Sequence, residues 1–181
     1  MDVISAMAER RAIRAYTESS IDHETVSRLI GAAILAPSAI DLEPWAFLVF
    51  EGASRLRDFS TKAKEALLRA ELPPEARRLI ADPAFNIFYG APMLVVICAT
   101  SAKAQAAEDC CLAAQNFMLA AHADGFATCP IGFARPWLNL ATTKHDLGIP
   151  SSLVPVFPMI LGHPAEHPAR RARRPPQVLW L

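Results

Sequence analysis

Three clusters of ionisable side chains could do chemistry. Arg10, Arg11 and Arg14 fall together in RRAIR, and Arg170, Arg171, Arg173 and Arg174 crowd RRARRP near the C-terminus. Between them, APSAIDLEPWAF (36–47) sets Asp41 and Glu43 just before a Pro-Trp pair that opens an apolar run. Guanidinium forks suit two-point capture of phosphate or carboxylate. Taken alone, the first cluster also reads as surface cations at a helix end, and RRARRP as a solvated tail or a nucleic-acid patch. The two acids are either turn chemistry or the lining of a ligand site. His122, His145, His163 and His167 show no triad or metal spacing and receive no role.

Composition narrows these options. Hydrophobic side chains make up 52% of the 181 residues, above the ~45–50% of ordinary soluble domains even before glycine is counted. Such an excess implies apolar surface that one small core cannot hide, and burial against a second copy is the simplest remedy. Eighteen basic and eighteen acidic side chains cancel, so no global field draws the chain to nucleic acid or anionic lipid. Cys98, Cys110, Cys111 and Cys129 form no CxxC pair and read as small interior hydrophobes. The acidic, amphipathic start is unlike a signal peptide, and no apolar run reaches the ~18 residues of a membrane span. The expectation is a reduced, cytoplasmic protein with no membrane and no nucleic-acid partner.

The elements that must hold the clusters follow from periodicity. Residues 2–9 form a short amphipathic turn, and RRAIRAY is too basic and short to assign. In SSIDHETVSRLIGAAILAPS, Val26, Leu29, Ile30, Ala33 and Ile34 recur at helical spacing, Asp22 caps the start and Pro37 ends the segment. WAFLVF (45–50) and PMLVVICA (92–99) read as buried strands, and 53–70 and PPEARRLIAD as helices. AEDCCLAAQNFMLAAHADG (107–125) is a helix apolar nearly all round, hence central or at a subunit interface; Asp109 reads as an acid at its start. FATCPIGF is a strand entering a turn, RPWLNLATTKHDLGIP a helix stopped by Gly148. VPVFPMILG is a last strand whose Pro155 and Pro158 need an edge or a place without ladder bonds. About four strands without strict alternation with helices favour α+β, as one domain over 1–181 with a basic extension at 163–181.

Four segments, in order, resemble the nitroreductase-like family of FMN-dependent oxidoreductases: RRAIRAY, APSAIDLEPWAF, AEDCCLAAQNFMLAAHADGFATCPIGF, and ILGHPAE followed by RRARRP. The resemblance implies an α+β sandwich, a mostly antiparallel sheet flanked by helices, dimeric, with two FMN sites at the subunit interface. It implies hydride passed from NAD(P)H through flavin to a small oxidised acceptor of the nitroaromatic or quinone class. By position, Arg10 and Arg11 with Arg171 and Arg173 would hold the phosphate, whose charge of about −1.5 to −2 wants such forks. Arg14 would lie near the flavin N1–O2 edge and favour the reduced anion. Pro37, Ser38 and Ala39 would frame the ring with Pro130, Ile131 and Gly132, which offer a backbone contact near N5.

The chain departs from the family pattern at two places. Asp41 and Glu43 replace the amides of APSxxNxQPW, and an ionised carboxylate accepts hydrogen bonds but cannot donate them. Beside an anionic reduced ring at ~4 Å, the acid would cost about 4 kcal/mol at an effective dielectric of 20, on the order of −90 mV for two electrons. Ala12 stands where relatives carry a serine that reaches the phosphate. These departures keep open a flavin- or ligand-binding dimer with weakened or lost redox activity.

Overall fold

The computed structural model describes residues 1–169 and 172–181. Its centre is an antiparallel four-stranded sheet in the order β1-β2-β4-β3. The strands are β1 (Trp45–Glu51), β2 (Met93–Ala99), β3 (Ala127–Pro130) and β4 (Val154–Gly162). β2 is buried along its whole length, which is why it reads as an unbroken apolar run. Its alternate side chains serve two cores. Met93, Val95, Ile97 and Ala99 pack with one cluster, while Leu94, Val96 and Cys98 pack with the other.

On the first face lie α2 (His23–Ala33) and α5 (Ala104–Ala123), which contribute Val26, Leu29, Ala113, Phe117 and Ala121. Asp22 starts α2 as expected, accepting the Thr25 N–H at 2.6 Å. The other face is covered by α3 (Ala53–Leu68), α4 (Pro74–Ala81) and α6 (Ala134–Leu138), with Phe59, Ile80 and Trp137 in that core. Among the described residues no helix is long and apolar enough to cross a membrane. The chain is α+β, as its segment pattern implies.

Several local expectations need correction. Residues 2–9 hold a full helix, α1 (Val3–Glu9). The segment 134–147 is two helices, α6 and α7 (Ala141–Leu147), not one. The Asn139 amide donates to the carbonyls of Arg135 (2.9 Å) and Pro155 (2.8 Å), while Leu140 is extended at φ −67°, ψ 136°. Residues 12–17 lie along the sheet, Ala12 bridging Thr128 and Tyr16 bridging Pro164. Cys111 is exposed; Cys98, Cys110 and Cys129 are buried, and burial pushes the Cys98 and Cys110 thiols up to about 12.

β4 is an interior strand despite its prolines. At Pro155 the β2–β4 register shifts between Ile97 and Cys98, a bulge that removes the need for a donor. At Pro158 the carbonyl accepts the Ile131 N–H at 2.8 Å, while the Ile131 carbonyl takes the Ala134 N–H at 3.1 Å. The ladder bond that proline cannot make is thus replaced by the first turn of α6.

Candidate functional site

The end of α1 and the chain just after it shape a cavity of about 270 Å³ with Arg10, Arg11, His122, Thr128 and His167 among its lining residues. Arg10 is half-buried; its Nε, like Nε2 of His122, is shielded from solvent without a hydrogen-bond partner among the described residues. Buried polar nitrogens of this kind cost free energy unless they find a hydrogen-bond partner. Burial, then the charges of Arg173 and Arg11, push the Arg10 guanidinium below its ordinary value. Cations that repel one another around buried donors make a site that an anion would relieve. Arg11 is also held structurally, Nη1 donating to the carbonyls of Ala8 (2.9 Å) and Arg10 (2.6 Å).

A second cavity, about 250 Å³, adjoins the first across the paired segments 12–14 and 127–130. Arg14, Tyr89, Cys129, Pro130, Ile131 and Gly132 contribute to its wall. The Arg14 guanidinium sits 5.7 Å from the Tyr89 ring centroid, and the Arg14 N–H reaches Glu166 at 3.4 Å. Burial raises the Cys129 thiol and Arg14 opposes the shift. Pro130 has no N–H and that of Ile131 goes to Pro158, which leaves Gly132 as the turn residue able to present one to a ligand. A Cβ at Gly132 would meet nothing within 4 Å, so this wall is open to a flat guest.

The segment 36–43 lines neither cavity. Pro37 is exposed, Ala39–Asp41 form a 3₁₀ turn, and Ile40, Asp41 and Glu43 all have left-handed backbone (φ 47°, 52°, 45°). Ser38 Oγ accepts the Glu43 N–H at 3.0 Å. The turn is tied to α5 by Asp109, which is 3% exposed and accepts the Ala39 N–H. Asp109 is not the helix-start acid expected of it, because α5 begins at Ala104. It lies 13 residues before His122, about 20 Å along one helix at 1.5 Å per residue.

Within one chain, therefore, Arg10 and Arg11 share one cavity, and Arg14 shares the next with Pro130, Ile131 and Gly132. Ala12 sits between them in its bridge to Thr128 and lines neither. Arg173 is exposed and contributes its charge at Arg10; Arg171 lies outside the described residues. Pro37, Ser38, Ala39 and Asp41 stand apart, at the other end of α5. Sequence reasoning missed Asp109 as an anchor and His122 as a cavity residue.

A profile of the Nitroreductase family matches residues 7–163. An archaeal relative from Methanothermobacter thermautotrophicus, carrying the provisional name NADH dehydrogenase/NAD(P)H nitroreductase, is 29% identical over 185 residues, covering 100% of this chain and 87% of its own. An FMN reductase [NAD(P)H] of Bacillus subtilis is 25% identical, covering 98% of this chain and 72% of its own. The crystal structure of a nitroreductase with bound FMN from Bacteroides fragilis superposes with a TM-score of 0.86 at 22% identity, over 100% of this chain and 99% of that one. The chain belongs to the Nitroreductase family.

Proposed function

Starting from that membership, we propose that the chain is an FMN-dependent NAD(P)H oxidoreductase that works as a cytoplasmic homodimer on a small acceptor of the nitroaromatic or quinone class. The carrying observation is the pair of shielded, unpartnered nitrogens, Arg10 Nε and His122 Nε2, on residues lining a cavity where Arg11 and Arg173 repel Arg10. A phosphate monoester supplies the acceptors and the charge that this arrangement lacks. The names of the relatives support the same reading, as an FMN reductase and a nitroreductase with bound FMN.

When bound, FMN would supply two-electron redox chemistry between NAD(P)H and the acceptor. The residues do the rest. Arg10 and Arg11 would hold the phosphate, with Arg173 adding charge and Arg171 joining them by sequence position. Arg14, stacked over Tyr89, would supply positive charge that favours a reduced, anionic ring. Pro130–Gly132 form the flat wall, with the Gly132 N–H free to meet the ring.

The two cavities are each smaller than the ~300–1,000 Å³ usual for ligand sites, and the loop 37–41 is absent from both. A second copy resolves both points by bringing Pro37, Ser38, Ala39 and Asp41 over its partner's ring site. Ile34, Leu35, Ile40 and Leu42, exposed on and beside that loop, supply apolar surface for the seam. The test is an absorbance spectrum of purified protein incubated with FMN, followed by NADPH under anaerobic conditions. Flavin that binds and bleaches supports the reductase. Protein that stays colourless removes it.

Asp41, Glu43 and Ala12 favour a second reading, a flavin-binding dimer with weakened redox activity. Flavin that binds but never bleaches selects it.

A further inference from the structure

The first cavity contains a titratable group to which the sequence assigns no role. His122 lies in the last turn of α5 and lines the cavity with Arg10, Arg11 and Thr128; its Nε2 is shielded and has no hydrogen-bond partner among the described residues. Ala12, bridged to Thr128 beside this cavity, offers only a methyl group. We infer that His122 is a proton-linked ligand of the phosphate ester, so that its contribution to holding the phosphorylated flavin grows as pH falls. This inference rests on the FMN reading of the cavity.

The charges around His122 set the sign. Glu9, Arg10, Arg11 and His167 line the cavity with it, and Arg173 acts through Arg10. Asp124, two residues along, is paired with Arg28 at 2.9 Å. Burial pushes the imidazole towards its neutral form; Glu9 opposes this, and Arg10 and Arg11 reinforce it. A phosphate close to Nε2 reverses the balance, because its charge favours the imidazolium, which can donate from both nitrogens. Binding then takes up a proton, so the His122 contribution strengthens as pH falls through the interval between the free and bound values. The ester's own second ionisation, near 6, works in the opposite direction. Comparing native and variant protein at each pH cancels it.

FMN and riboflavin dissociation constants are measured by flavin fluorescence from about pH 5.5 to 8.5, bracketing the ordinary histidine range, for the native chain, His122→Asn and His122→Gln. His122→Asn should weaken FMN binding roughly tenfold at the acid end and less than about threefold at the alkaline end. Riboflavin, which lacks the phosphate, should be unaffected. In native protein, the NMR titration midpoint of the His122 imidazole should rise on adding FMN, a measurement that needs no variant to fold. A native-to-variant ratio constant with pH, an equal loss for riboflavin, or a midpoint that FMN does not move would each overturn the inference while leaving the flavoprotein reading standing. Native protein that binds no FMN at any pH overturns both.

Discussion

The Ala39 N–H points between the two carboxylate oxygens of Asp109, 3.3 Å from each. This contact holds a loop in which three non-glycine residues are left-handed, each at a cost on the order of 1–3 kcal/mol. Asp109→Ala removes the acceptor and should destabilise the chain by about 1–3 kcal/mol. Asp109→Asn keeps one carbonyl oxygen and should recover much of the loss. Urea unfolding of both variants checks this; equal losses would show that the acceptor is not what matters.

Arg10 should show opposite signs in two measurements. Arg10→Met keeps the apolar stem and removes a half-buried cation with an unpartnered nitrogen, so the flavin-free chain should be as stable as native or more so. FMN affinity should fall about 10–100-fold, as expected for hydrogen bonds to a charged acceptor. Thermal melts without flavin and a flavin titration separate the two effects.

Asp41→Asn should raise the reduction potential of bound flavin. The upper bound is about 90 mV, the value for an unpaired carboxylate ~4 Å from the anionic ring. Because Asp41 lines neither cavity of its own chain, the shift requires the proposed second copy. Potentiometric titration of both proteins reads it, and an unchanged potential would place Asp41 away from the ring.

Gly162→Ala should destabilise the fold by about 1–3 kcal/mol through overpacking. A Cβ there would come within 2.5 Å of Tyr16 Cδ1 and 2.9 Å of Pro92 Cδ. Tyr16 is tied to the Ile13 carbonyl at 2.7 Å, so its ring cannot yield without disturbing the chain that carries Arg14. A lower melting temperature together with weaker flavin binding is expected; an unchanged melt would refute the clash.

What the sequence reveals depends on whether a residue's role is local. β1, β2 and α2 are legible because burial writes a period into neighbouring residues, and Asp22 because capping acts within one turn. The break at Asn139 depends on a carbonyl sixteen residues away, at Pro155, which no local pattern records. Segment 12–17 becomes extended by pairing with Thr128 and Pro164, against a composition that favours neither helix nor strand. The motif residues divide similarly. RRAIR and the turn 130–132 line adjoining cavities, whereas the loop 37–41 lines neither, because linear order does not say which motifs the fold brings together. Asp109 and His122 are hidden for the same reason: each is defined by what it faces across the fold.

The two prolines of β4 have a bearing on how the chain assembles. Each sits where a neighbour makes no demand for an amide proton, Pro155 at a bulge and Pro158 opposite a carbonyl already satisfied by Ala134. A slip of β4 by one position would confront one of them with an unanswered acceptor and exchange the side chains that face the two cores. The rings thus act as a key cut for a single alignment.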